Sequence, residues 1–461
     1  MSGDSEHHFP MNPIFIISII LFQSSLVLAQ SIPNNHFLYQ SRKLLYDAGN
    51  DWQSLTIFGP TRFKPKSQKQ LKNLNSSSYY DGQIVFDAGN DSYSLYGSGH
   101  FKYNNHYYGY LYPTFVNKID KDHQFDIGTN FIKYHGNQSG IGFENSWAIF
   151  QIGRGKESWG AGNDIQLALS ENSGNYDYFL LASDYGKVRV RYVYGFLENV
   201  KTNINRYITA RGFEWTNKRS LIIGFSETVI YSGENRSIDI GYLNPMSSHL
   251  EIELNNRLNI KGNNNSNAVW QIHLDCLLNN NFRVSLNYLY DEFVLDPDIQ
   301  IGKEHGKAFS MRLAFTPLLS SKHLITLYTS LVYVGTPTFR HGIGTNNFVQ
   351  DGRPLGWYGG SDGQDLCIGM NYFNNNLIAS FSTGFLKSGE ETITNRVFET
   401  YADYLRGPFP SGKVEKSYYF TSNIIYWWKN NYSVSTTLYQ SEKNKAIDLK
   451  INVPVFQSIN K

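Results

Sequence analysis

The stretch GKVRVRYVYG, residues 186–195, decides the fold class. Val188, Val190, Tyr192 and Tyr194 alternate with Arg189, Arg191 and Val193. A two-residue period sends alternate side chains to opposite sides of a β-strand, so one face is greasy and the other wet. The same alternation recurs outward from this stretch. Before it come FKYNNHYYGYLYP (101–113) and SWAIFQIGRG (146–155), and after it SLIIGFSETVIY (220–231) and SIDIGYL (237–243). VWQIHLDCLL (269–278), FRVSLNYLYDEF (282–293), FSMRLAFTP (309–317) and LITLYTSLVYV (324–334) follow. LCIGMNYF (366–373), LIASFSTGFL (377–386), SYYFTSNIIYW (417–427), YSVSTTLYQS (432–441) and IDLKINV (447–453) complete the series. Each run is about the length that crosses a bilayer as a tilted strand.

Turns and aromatics fit a membrane barrel. Short polar turns such as 279–281 and 374–376 alternate with long loops such as 335–365 and 387–416, the asymmetry of outer-membrane barrels. Tyr288, Tyr290 and Phe293, and again Tyr426, Trp427 and Trp428, crowd strand ends, where aromatic girdles sit. Closure into a barrel also removes the exposed strand edges. A secreted propeller would show one motif per blade, and no repeat of that length is visible. Mean hydropathy is −0.39, which argues against a helical membrane protein, while a barrel with a polar interior and polar loops has this balance.

Ahead of the strands, MNPIFIISIILFQSSLVLAQS (11–31) has an apolar run from Ile14 to Phe22. Small residues near Ala29 suit cleavage before Gln30, so 1–29 is read as a signal peptide with Met11 a candidate start. No Lys or Arg precedes the run. Residues 30–80 are expected to be a periplasmic segment or plug, helical or irregular, and 81–461 the barrel. The net charge of +2 gives no polyanion-binding stripe and no nucleic-acid partner. Cys276 and Cys367 are read as two free thiols rather than a disulfide.

The phrases between 157 and 246 carry a family resemblance. ESWGAG (157–162), RGFEW (211–215), GFSETVIYSG (224–233) and GYLNPM (241–246) resemble, in that order, the phrases of the Wzi-type capsule-assembly outer-membrane proteins. NYLYDEF (287–293) and FVQDGRPLGWYGGSDGQDL (348–366) continue the likeness. Two departures stand against it: 30–80 shows no clean helical period, and the chain ends INVPVFQSINK without a terminal aromatic. The resemblance implies an all-β fold, a large antiparallel up-and-down transmembrane β-barrel of about 16–18 strands. It implies a plugged, non-catalytic, cofactor-free, monomeric protein of the Gram-negative outer membrane that binds and organises exported capsular or extracellular polysaccharide. A porin-like channel for oligosaccharides or other small solutes is the alternative, and it requires an open lumen.

Two sets of site residues follow. Sugar recognition uses flat aromatic faces with planar polar groups at the hydroxyls. Arg340, His341, Asp351, Arg353, Trp357 and Tyr358 gather such groups in the 335–365 loop, beside Asn346, Asn347 and Gln350. Trp159, with Asp164, is a second candidate contact, or else an anchor beside a turn at Gly160 and Gly162. The second set consists of charges within strands. A midplane Arg or Lys facing lipid costs ~2–4 kcal/mol, so Arg189, Arg191, Arg211, Glu214 and Glu227 are expected to form a charge ladder in the lumen. Such a ladder either rigidifies the interior or forms an eyelet. Catalytic and metal motifs are weak. GRGK (153–156) lacks the Ser or Thr of a phosphate loop. His273, Asp275 and Ser285 make a conceivable but unspecific hydrolytic trio, and a His-Asp pair offers too few metal ligands.

Overall fold

The computed structural model describes residues 79–459, apart from 90–92, 105, 117–137, 146, 201–202, 256–265, 280, 292–300, 320–322, 375, 402–404, 430–431 and 443. The expected signal peptide, the start at Met11 and residues 30–78 lie outside the described residues.

The wall begins with β1 (Tyr79–Ala88), β2 (Tyr93–Tyr103), β3 (Tyr107–Tyr112), β4 (Thr114–Val116), β5 (Gln138–Glu144) and β6 (Ala148–Gly155). It continues through β7 (Tyr176–Asp184), β8 (Val188–Leu197), β9 (Ile204–Thr216), β10 (Leu221–Glu234), β11 (Ser266–Asn279) and β12 (Phe282–Tyr290). β13 (Lys307–Leu319) and β14 (His323–Val334) precede a tiny hairpin, β15 (Val349–Gln350) and β16 (Arg353–Pro354), inside a long loop. β17 (Gly363–Asn374), β18 (Leu377–Ser388), β19 (Glu415–Lys429), β20 (Tyr432–Ser441) and β21 (Lys445–Ile459) finish it.

Among the described residues, all strands but β15 and β16 form one 19-stranded sheet. β3 and β4 are consecutive segments that both pair with β2, so the wall has eighteen staves. Every pairing is antiparallel between neighbours in sequence, and β1 pairs with β21 from Ala88↔Leu449 to Tyr79↔Ile459. First strand on last strand closes the up-and-down barrel, leaving no edge to protect.

The burial pattern is inside-out. On β21, Ile447, Leu449, Ile451, Val453 and Val455 are exposed, while Asp448, Lys450 and Asn452 are buried. On β17, Leu366, Ile368 and Met370 face outward and Asp365 and Asn371 inward. A water-soluble sheet does the reverse, whereas a barrel in lipid sets its apolar residues outside and its polar ones in the bore. At one end every connection is a short turn, and all the long connections lie at the other.

Two expected strands come out differently. The run 101–113 breaks into β2 and β3 at Asn104, whose φ of +52° makes a tight turn. The run 237–243 is not a strand. Asp239 accepts a hydrogen bond from the Gly241 N–H at 2.9 Å and caps α1 (Ile240–Leu243). Ser248 accepts from the Glu251 N–H at 3.2 Å and caps α2 (His249–Leu254). Ser-His-Leu-Glu is the capping-box spacing, with Ser248 at the cap and Glu251 three residues on. Local capping here outweighs the short apolar alternation.

These two helices lie on the outside of the wall. Tyr242 stacks on Tyr231 at 4.7 Å and Tyr231 on Tyr207 at 4.9 Å, and His249 meets Trp270 at 6.0 Å with the rings tilted. With Tyr192, Tyr194, Val229 and Ile252 they make a compact aromatic cluster. All of the strand members share a face with the exposed Phe213 and Ile272 through the registers of β8 to β11. Arg211 and Glu227 belong to this outer face, so they are not part of a lumen ladder. They pair at 3.3 Å under the helices, where the Glu227 carboxylate accepts from the His249 N–H at 3.0 Å and from Trp270 Nε1 at 2.9 Å. Arg211 Nη1 donates to the Asn244 carbonyl at 3.2 Å.

Candidate functional site

Three connections at the long-loop end, 156–175, 335–362 and 389–414, fold inward and build a dome within the barrel mouth. The segment 156–175, between β6 and β7, turns down into the bore at Gly160, where φ is +126°. A Cβ there would lie 2.8 Å from Asn287 Oδ1 and in an unfavourable backbone region, so glycine is needed. Asn287, inward on β12, reads the backbone of this loop in both directions. It accepts from the Ala161 N–H at 2.8 Å and donates to the Ala161 carbonyl at 2.9 Å. Ser310 Oγ on β13 donates to the Ile165 carbonyl at 2.7 Å.

A second loop, 335–362, lies against the first. The Trp357 N–H donates to the Leu167 carbonyl at 3.1 Å and the Ser170 N–H to the Leu355 carbonyl at 2.8 Å. At Gly356 a Cβ would fall 1.6 Å from the Leu167 carbonyl oxygen, so the two backbones approach only because the side chain is hydrogen. Arg206, buried on the inner face of β9, donates to the carbonyls of Thr345 at 2.6 Å, Asn347 at 2.9 Å and Val349 at 3.0 Å. A third loop, 389–414, covers the second. Asp362 accepts from Thr336 Oγ1 at 2.8 Å, the Ser411 N–H at 2.9 Å and the Glu391 N–H at 3.1 Å. Asn347 Nδ2 donates to the Val397 and Glu399 carbonyls, both at 3.1 Å. A single hydrophobic cluster joins these loops to opposite walls, running from Ile149 on β6 through Trp159, Leu167, Phe339 and Trp357 to Leu386 on β18.

Three of the expected sugar contacts are structural instead. Trp159 is 1% exposed, and its Nε1 donates to Glu157 Oε2 at 2.8 Å. Trp357 is also 1% exposed, packed with Tyr358 at 5.2 Å. Arg340 is buried, donates to the Glu391 carbonyl at 2.8 Å and stacks on Tyr401 at 4.5 Å. Their flat or charged groups are committed to holding loops together, so they cannot meet a polymer at the surface. Asp164, placed beside Trp159 in sequence, is exposed. Tyr358 is half-buried and donates to Asp365 Oδ2 at 2.8 Å, with burial pushing its hydroxyl well above the ordinary range.

His341, Asp351 and Arg353 remain accessible. Asp351 is exposed, Arg353 and His341 half-buried. Burial lowers the His341 imidazole and raises the carboxyl of Asp351. The third loop presents Arg396, which donates to Glu399 Oε2 at 2.6 Å and lies 3.4 Å from Glu391. Sequence reading noted this loop only for its length. The mix of charge and aromatics in ETITNRVFETY (391–401) was the signal that could have marked it.

Inside the bore, Arg189 pairs with Glu214 at 2.7 Å and with Asp184 at 3.0 Å. Arg191 reaches past Glu214 to the plug, donating to both Glu157 oxygens at 2.9 Å. The inner charges thus fix a loop to the wall. Lys156, in GRGK, donates to the Glu171 carbonyl. Burial pushes the Glu171 carboxyl up to about 8. The hydrolytic trio is not assembled as one. Asp275 accepts from Arg283 Nε at 2.8 Å and from Ser285 Oγ at 3.1 Å, so the serine hydroxyl is turned to the carboxylate, while His273 Nδ1 lies 3.5 Å from Gln271 Nε2. Cys276 and Cys367 are both free thiols. No group of three or more His, Cys, Asp or Glu side chains among the described residues is placed to hold a metal.

No protein-family model matches the chain, and no curated protein does. Solved structures do match. Wzi, an outer-membrane protein involved in group 1 capsule assembly in Escherichia coli and a carbohydrate-binding β-barrel, aligns with a TM-score of 0.63 at 12% identity. That alignment covers 91% of this chain and 98% of Wzi. The outer-membrane protein OprD from Pseudomonas aeruginosa aligns at 0.45 and 9% identity over 83% of this chain and 94% of that one. A BenF-like porin from Pseudomonas fluorescens aligns at 0.44 and 8% over 83% and 98%. The chain has the fold of an outer-membrane β-barrel.

Proposed function

We propose that this protein is a plugged, monomeric barrel of the Gram-negative outer membrane that binds exported capsular or extracellular polysaccharide on its loop dome and catalyses no reaction. The observation that carries the reading is the dome itself. Loops 156–175, 335–362 and 389–414 are hydrogen-bonded to each other and to inward wall residues, and one apolar cluster crosses the mouth. A channel loop needs a water-lined passage, whereas a packed mouth serves as a rigid platform. The motif order between 157 and 246 and the likeness to the carbohydrate-binding Wzi barrel both support the polysaccharide reading. Asp351, Arg353 and His341, with Arg396 and Glu399, supply the planar polar groups suited to sugar hydroxyls and acidic sugars.

Single-channel recording in planar bilayers, with and without the producing cell's own extracellular polysaccharide, tests this directly. Little or no conductance, with polymer binding by the same sample that drops about tenfold (~1.4 kcal/mol) in Asp351→Ala/Arg353→Ala, is expected. A stable open pore that small sugars block would establish a channel instead.

A further inference from the structure

Among the described residues, the connection between β10 and β11 is the one long connection that leaves the mouth and lies on the outer wall. Its described part, 235–255, buries Tyr242, His249 and Ile252 against the barrel and turns a different set outward. Ile240, Met246, Leu250 and Leu254 are exposed, Met246 to 88%, as is Ile238. From 237 to 250 the ionisable residues are Asp239, Tyr242 and His249, all buried; in the rest of α2, Glu251 and Glu253 are half-buried, and Glu253 is turned to His249 at 3.3 Å and to Ser266 at 2.8 Å. The exposed residues of 237–255 are thus all uncharged, which is unusual on a protein surface in water.

Depth along the wall says what covers it. Exposed Ile223 lies on β10, four residues below Glu227 and eight below Tyr231. At ~3.3 Å per residue and a tilt near 45°, these two stand about 9 and 19 Å above Ile223 along the membrane normal, within an apolar band about 25 Å tall. The wall below the arm carries Val188, Val190, Phe213, Trp215, Ile223 and Ile272 exposed. The outward residues of the arm therefore continue that apolar belt upward. The Arg211–Glu227 pair lies at a depth where an uncovered charge costs ~2–4 kcal/mol, and the arm takes its place against lipid.

We infer that residues 237–255 form an interfacial arm whose outward face binds the acyl chains of the outer membrane's outer leaflet. The inference rests on the outer-membrane reading above. The arm extends the barrel's lipid contact on its side of the wall, shields a buried ion pair, and fixes the height at which the dome stands above the lipid.

Site-directed fluorescence tests it in full-length protein reconstituted in lipid bilayers. Cys276→Ala and Cys367→Ala remove the native thiols, and a bimane label is placed at Met246→Cys or Leu254→Cys. Ile368→Cys on the belt and Asp351→Cys on the dome serve as calibrants, and heat-modifiable migration on gels confirms that each variant is folded. Doxyl-labelled acyl chains should quench positions 246, 254 and 368 several-fold more than aqueous iodide does, with the reverse at 351. Iodide quenching at 246 and 254 while 368 remains lipid-quenched overturns the arm alone. Loss of lipid quenching at 368 as well overturns the membrane reading. Protection of 246 and 254 from both quenchers also overturns the arm, and a crosslinked dimer through Met246→Cys would then identify a second copy as the occupant.

Discussion

Strand β9 carries two ion pairs that the wall separates. Glu214 points into the bore and holds Arg189, while Arg211, three residues away, points outward and holds Glu227. An odd spacing on a strand puts two side chains on opposite faces, so one ladder could never have contained both. The inner region solves its charge problem with polar partners on neighbouring strands and on the plug. The outer region has only lipid beyond it, and solves the same problem by folding a capped helical segment over the pair. A charge in a membrane strand thus marks either lumen or cover, and parity tells which.

The largest effect should come from the inner side. Glu157→Ala strands the buried Arg191 guanidinium and frees the Trp159 indole, and should cost ~3–5 kcal/mol in urea unfolding followed by gel migration. If the loss is instead within error, the plug is not fixed by that pair. Next is Glu171. Its carboxyl, pushed up to about 8 by burial, is protonated in the fold at neutral pH, whereas in the unfolded chain it titrates near 4.5. Its contribution is fully present below about 4.5 and declines as pH rises towards 8. Stability should therefore fall by ~3 kcal/mol from pH 4.5 to 7 through this group, and Glu171→Gln should flatten the profile. An unchanged profile in the variant would refute that role.

On the outer side, Glu227→Ala should cost about 2 kcal/mol, less than the inner pair because Arg211 can bend towards headgroups. The double change Arg211→Met/Glu227→Met should recover most of the loss, since two matched charges give way to apolar groups. Failure to recover would mean that the Glu227 contacts to His249 and Trp270 matter more than its charge. The smallest effect belongs to the dome surface, where Asp351→Asn, which keeps a residue tolerant of the +51° φ, should shift stability by no more than ~0.5 kcal/mol while weakening polymer binding.

Legibility followed the same division. Alternation in 188–194 located β8, and the runs 366–373, 377–386 and 432–441 fall on β17, β18 and β20 because a strand's two faces are written at a fixed period. The run 237–243 misled, since a few alternating apolar residues also fit a capped turn of helix. Trp159, Arg340 and Trp357 looked like surface ligands because aromatic and Arg residues in loops do serve that purpose. Nothing local records that their loops fold inward, a matter of contacts between residues more than a hundred positions apart.

By itself, then, the sequence determined an all-β chain of bilayer-length alternating strands, because side-chain direction on a strand is a local property. Parity could also have separated Arg211 from Glu214. Only the tertiary structure decided that β1 meets β21, that three loops fill the mouth, and that one segment instead covers the outer wall. Those outcomes depend on which distant surfaces must be hidden from water or lipid, and no single segment carries that information.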